Sequence, residues 1–138
     1  MSTAVFTYGS LTFAPVWQAV VRGAFRSVPA RVRGHRRHAL RDATYPAMVA
    51  ADGNEVLGRL WLAVADDDLV RLDRFEGAEY RRATVLAEPL DGSPAVSAQA
   101  YLWVDPTRLL PQDWDMAAFE RDHLRDFARV HGAFGERD

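Results

Sequence analysis

Apolar residues recur along this chain in two rhythms, one of strands and one of helices. Ala4–Thr7 is a short apolar, β-rich run halted by Gly9 and Ser10, which predicts a buried strand running into a turn. Between Thr12 and Val21, Pro15 suits a first helical turn, and Val16, Trp17, Val20 and Val21 supply an apolar face for a short helix. From Ala30 to Leu40, Arg31, Arg33 and His35 alternate with Ala30, Val32 and Gly34, the period of a strand with a basic outer face. Tyr45–Ala50 reads as the next strand, Asp52-Gly53-Asn54 as a hairpin turn, and Val56–Val64 as a further strand.

A helix is predicted from Asp66-Asp67-Asp68, which offer N-cap and first-turn carboxylates, to a stop at Gly77. Its pattern carries Leu69, Leu72 and Phe75 toward a core. Tyr80–Leu86 and Ser97–Val104 form two more strands around the Asp91–Pro94 turn. Pro106 and Pro111 break the chain beyond Val104. Asp113 can then cap a last helix, reaching about residue 131, with Met116, Phe119, His123, Phe127 and Val130 near one face. The tail from Gly132 is expected to fray. About six strands and three helices result, with strands close in sequence and joined by turns. That pattern predicts an α+β fold, a small mixed and mostly antiparallel β-barrel with flanking helices.

Composition narrows the chemistry. The 138 residues suit one domain over residues 1–138, and 49% apolar with 26% charged residues is ordinary for a globular chain. A net charge of −2 argues against a generic polyanion binder. With no cysteine, thiolate metal sites and a Cys nucleophile are excluded. All 17 basic residues are arginine, so there is no lysine to form a Schiff base or act as a base. No apolar run has the length of a membrane span, and Val5 and Phe6 follow no basic leader, so the expected location is the cytoplasm.

Two places carry candidate chemistry. Glu76 is the last side chain before Gly77. A carboxylate at the negative end of a helix dipole is disfavoured in its ionised form, which raises its pKa toward the range of a general acid or base. Asp73 lies one turn earlier, where like-charge repulsion would add to that shift. Glu79 lies beyond the helix and is expected to reach solvent or Arg81. The second place is Thr7-Tyr8-Gly9-Ser10-Leu11, where a strand ends in Gly-Ser before a helix. Such a turn can aim several backbone N–H groups at one anion. It lacks the further glycines and the lysine of a phosphate loop, so no nucleotide is expected.

Val5-Phe6-Thr7-Tyr8-Gly9-Ser10-Leu11 resembles the Tyr-Gly-[Ser/Thr]-Leu loop of the gamma-glutamylcyclotransferase-like superfamily. Leu72-Asp73-Arg74-Phe75-Glu76-Gly77, followed by Tyr80, Arg81 and Arg82, resembles its second motif, and Gly58–Trp61 and Ala100–Trp103 resemble the bracketing strands. The similarity covers roughly residues 3 to 105 in order, and is nearest the avirulence-induced-protein-like, gamma-glutamylamine cyclotransferase branch. It implies a small β-barrel with flanking helices that cleaves gamma-glutamyl amides by cyclisation to 5-oxoproline, with no metal and no cofactor. It also implies Glu76 as the catalytic residue and Tyr8, Gly9, Ser10 and Leu11 as the substrate loop. Tyr101 is added as a polar wall. The chemistry fits: one carboxyl can deprotonate the substrate α-amine and return the proton to the leaving amine. The Gly9–Leu11 amides would hold either the α-carboxylate or the developing oxyanion.

Other features read as structure. Arg31 to Arg41 could contact nucleic acid, but the acidic chain and the lack of interleaved aromatics favour a solvated strand face. His35 and His38 sit among arginines that would repel a metal, and His123 and His131 read as helix-face residues. Ser10 lacks the Gly-x-Ser-x-Gly context of a hydrolytic nucleophile. The expected partner is a small gamma-glutamyl substrate, with no nucleic acid and no membrane, on a monomer or homodimer. The competing reading is a non-catalytic module that binds a small metabolite on the same fold.

Overall fold

Residues 2–135 are described by a computed structural model. The strands are β1 (Ser2–Thr7), β2 (Ser27–Leu40), β3 (Ala47–Ala65), β4 (Tyr80–Pro89), β5 (Val96–Trp103) and β6 (Leu109–Asp113). The helices are α1 (Ala14–Val20), α2 (Asp66–Glu76), α3 (Met116–Asp122) and α4 (Leu124–Gly135). The sheet order is β3-β1-β5-β4-β2, and β2 pairs back onto β3, so five strands close a barrel while β6 extends β2. Only β1 and β5 run parallel among the described pairs; the others are antiparallel. Closure removes the sheet edges that an open meander would expose.

Strand β1 is buried on both faces, which is why it reads as a continuous apolar run. Phe6 points into the barrel with Ala30, Val32, Met48 and Leu60. Val5 points outward, to Val16, Trp17, Leu69 and Leu72 of α1 and α2. Trp17 stacks on Trp61 with centroids 4.1 Å apart. Trp61 donates Nε1–H to Thr7 Oγ1 at 3.0 Å, which fixes the last residue of β1.

Several local expectations give way to tertiary structure. Asp52-Gly53-Asn54 is no hairpin: β3 continues through it. The β2–β3 register steps from Arg33↔Glu55 to His35↔Ala50, so these residues form an outward bulge opposite Gly34. Gly53 takes φ +81°, which serves a bulge as well as a turn. Pro111 does not end the sheet; it sits in β6, at the edge, where a missing N–H is tolerated. The cap of α3 is Asp115, which accepts from the Ala118 N–H at 3.0 Å, whereas Asp113 binds Arg36 at 2.8 Å. The last helix is broken at His123 into α3 and α4. Backbone helix continues past Gly132 to Gly135, while the side chains of Val130 and His131 lie outside the described set.

The acidic start of α2 works differently from a simple cap. Ala65 is the N-cap residue. Asp68 is buried and accepts from the Arg22 N–H at 2.8 Å, the Gly23 N–H at 2.9 Å and Arg71 at 2.6 Å. It ties the end of α1 to α2. Asp68→Ala leaves two backbone donors and a guanidinium without their acceptor. It is expected to cost about 2–3 kcal/mol, read as a lowered melting temperature. No helix among the described residues is long and apolar enough to cross a membrane.

Candidate active site

A cavity of ≈ 170 Å³ opens where β1 runs out, between the end of α2, β5 and α4. Its lining includes Tyr8, Gly9, Ser10, Leu11, Glu76 and Tyr101, so the six residues named as catalytic or substrate-binding from the sequence border one space, while Asp73 is not among its lining. Phe6, Thr7, Tyr45, Pro46, Phe75, Glu79, Tyr80 and Phe127 complete the described lining.

The turn after β1 is held from below. The buried Tyr8 ring folds back into the barrel, and its hydroxyl donates to the Tyr101 carbonyl. Burial raises the Tyr8 pKa well above its ordinary value, and the nearby Glu76 charge adds to this. Arg37, reaching from β2, donates to the Tyr8 carbonyl at 2.8 Å and the Leu57 carbonyl at 3.1 Å. Its guanidinium lies over Trp114, 5.4 Å from the ring centroid. In a planar trans peptide the C=O and N–H point opposite ways, so holding the Tyr8 carbonyl on one side turns the Gly9 N–H to the other. The Gly9, Ser10 and Leu11 N–H groups have no acceptor among the described residues. Gly9 also permits a close approach: a Cβ there would lie 2.8 Å from the Pro46 ring. Arg37 is invisible as a site residue in the sequence, where it is one cation in a basic run. Its contact is made 29 residues away.

Glu76 ends α2, and Gly77 stops the helix at φ +73°, its N–H returning to the Asp73 carbonyl. The Glu76 side chain is half-buried, and no described side chain hydrogen-bonds or ion-pairs with it. Burial pushes its pKa up to about 8. The direction is the one expected, with desolvation by burial as its leading cause and no contribution from Asp73 resolved. Asp73 is otherwise engaged: it accepts from the Tyr101 hydroxyl at 2.7 Å and pairs with Arg82 at 3.1 Å. This chain fixes the Tyr101 ring at the cavity wall. Burial first, then the Asp73 bond, pushes the Tyr101 pKa far above its usual range.

Glu79 is exposed to solvent, as one of its two expected outcomes had it, and pairs with Arg108, not Arg81. It sits at the cavity rim, accepting from Arg108 at 2.7 Å and from the Tyr45 hydroxyl at 3.2 Å. Tyr80 donates to the Pro46 carbonyl at 2.7 Å. Much of the basic stretch is tied up within the molecule. Arg31 and Arg33 pair with Glu88, Arg36 pairs with Asp113, and His38 contacts the Leu110 carbonyl. No histidine lines the cavity among the described residues, so Ser10 has no imidazole partner there. No three described His, Asp or Glu side chains gather as a metal site.

A closed barrel whose cavity is bordered by Glu76 and a glycine turn is the frame in which the comparisons with known proteins fall. Residues 5–116 match the sequence model of the family described as Gamma-glutamyl cyclotransferase, AIG2-like, and the chain belongs to that family. Protein AIG2 C of Arabidopsis thaliana is 32% identical over 128 residues, covering 91% of this chain and 77% of that protein. A solution structure of an Arabidopsis thaliana protein superposes with a TM-score of 0.74 at 31% identity, covering 94% of this chain and 79% of that one. A gamma-glutamyl cyclotransferase shares the fold at TM-score 0.70 and 20% identity, covering 96% of this chain and 88% of that one. At the level of the family, the function is cyclotransferase-like.

Proposed function

We propose that the protein is an enzyme that releases 5-oxoproline from gamma-glutamyl amides, with Glu76 as its one general acid/base. The observation that carries this reading is a carboxyl without a described partner, raised to about 8 by burial, lining the same small cavity as three backbone N–H groups that lack a described acceptor.

The substrate's α-ammonium places its proton on the Glu76 carboxylate. The freed amine attacks the γ-carbonyl carbon, a C–N bond forms, and a five-membered lactam closes. The tetrahedral intermediate carries an oxyanion, which the Gly9–Leu11 amides can stabilise if they do not already hold the α-carboxylate. The protonated Glu76 then delivers its proton to the departing nitrogen, the oxyanion collapses to the lactam carbonyl as the original amide bond breaks, and the amine leaves as its ammonium, carrying off the second proton of the attacking nitrogen. Glu76 ends as it began. The attack is intramolecular, so folding the glutamyl arm within a narrow cavity supplies much of the rate.

The proton balance sets the pH profile. Below about 8 the free enzyme holds Glu76 protonated, unable to take the ammonium proton, so kcat/KM should rise through about pH 8. A bound ammonium favours the carboxylate, so the corresponding limb in kcat should lie at lower pH. A rising limb near pH 4–5 in kcat/KM would mean that Glu76 is solvated and not the group at work. The first experiment is incubation with a panel of gamma-glutamyl amino acids and gamma-glutamyl amines, with 5-oxoproline measured. No product across the panel ends the proposal. Binding without product would return the cavity to a metabolite-holding role.

A further inference from the structure

The cavity has a wall that the proton chemistry does not use. Phe127, on α4, lines it beside Phe75, with ring centroids 6.3 Å apart at 77°. Phe127 also meets Phe119 of α3 at 5.5 Å, and Phe119 meets Phe13 at 5.7 Å. A row of four rings therefore runs from Phe13, two residues past Leu11, to Phe75, the residue before Glu76. It bridges the two halves of the site. Phe119 and Phe127 both lie beyond residue 116, where the family match ends.

The charges at the cavity point the same way. Its described ionisable carboxyls are Glu76 and Glu79, the latter already held by Arg108 at 2.7 Å, and no arginine or histidine is among the described lining residues. A glutamyl head engages the Gly9–Leu11 amides and Glu76, which leaves ring surface for the amine beyond the scissile bond. An amine carrying its own carboxylate would lose hydration against rings, and the described lining offers no cation to replace it. An apolar amine gains by leaving water. We infer that the leaving amine is apolar and carries no carboxylate, and that Phe127 is a residue that selects it. This rests on the gamma-glutamyl reading of the site.

Three ligands test it: gamma-glutamyl-phenethylamide, gamma-glutamyl-phenylalanine and gamma-glutamyl-ethylamide. The first two differ by one carboxylate; the first and third differ by a phenyl ring. Affinity by calorimetry and kcat/KM by 5-oxoproline release are measured in parallel. The phenethylamide is expected to exceed each of the others by about tenfold or more in both readouts. Phe127→Arg sets a cation on the wall and should turn the order toward gamma-glutamyl-phenylalanine, a gain that a merely damaged fold would not produce. Phe127→Leu, which stays apolar, should keep the discrimination against the carboxylate. Equal or tighter binding of gamma-glutamyl-phenylalanine to the unsubstituted protein overturns the inference, as does an unchanged ligand order in Phe127→Arg. The expected binding order without product from any amide upholds the wall's preference and ends the cyclisation reading. Equal turnover of all three ends the inference and leaves cyclisation standing.

Discussion

Glu76→Gln is expected to lower 5-oxoproline release by about 10²–10⁴-fold while making the protein more stable at alkaline pH. The amide keeps the shape of the side chain and removes the proton carrier. The stability gain follows from linkage. In the folded state Glu76 stays protonated up to about 8, whereas the unfolded chain releases that proton near 4.5. Between those values the folded protein binds one more proton than the unfolded one, so stability falls by about 1.4 kcal/mol for each unit of rising pH. Glutamine carries no such charge. The variant should therefore match the parent near pH 4.5 and exceed it by a few kcal/mol at pH 8–9, measured as melting temperature against pH. Activity and stability moving in opposite directions excludes misfolding as the cause of lost turnover. An active variant, or parallel melting profiles, would remove Glu76 from its role.

Gly58→Ala should be severe for a different reason. A Cβ at Gly58 would lie 2.1 Å from the Thr7 carbonyl oxygen and 2.9 Å from Phe6 Cζ. The oxygen belongs to backbone of a strand buried on both faces, so β1 and β3 must separate where the Tyr8 turn begins. The expected cost is about 3 kcal/mol or more, the upper end of overpacking penalties. In a chain of this size that lowers the melting temperature by roughly 10 °C. Gly53→Ala is the comparison. Its φ of +81° imposes local strain, but nothing lies within 4 Å of the added carbon. Its cost should be about 1 kcal/mol. Similar melting temperatures for the two variants would contradict the close packing of β1 on β3.

The contrast between these two glycines also explains how far local sequence reaches. Gly9, Gly77 and the apolar runs beside them mark local events: a strand stops, a helix stops. Those signals are contained within a few residues, so β1, α2 and the β4–β5 hairpin are legible. Asp52–Asn54 looks like a hairpin because a bulge and a turn ask the same of Gly53. What decides between them is the pairing of β2 with β3 across the whole of both strands. Pro111 hides β6 because edge position, which excuses a proline, is itself a property of the assembled sheet. At the site, the motif residues are readable, but the cause of the high Glu76 pKa is not. Its leading cause is burial by elements distant in sequence. Arg37 and Phe127 escape for the same reason. Each acts on a segment far away, and nothing in its own neighbourhood announces it.

Closure of the barrel has a consequence for how the protein is made. Strand β1 lies between β3 and β5, and its pairing with β5 brings Val5 beside Gln99. The ribosome adds about 5–20 residues each second, so β1 waits roughly 5–20 s for β5. During that interval Val5 and Phe6, both fully buried in the finished protein, have at most one of their two flanking strands. The Tyr8–Leu11 turn is thus made well before the strand that completes its enclosure.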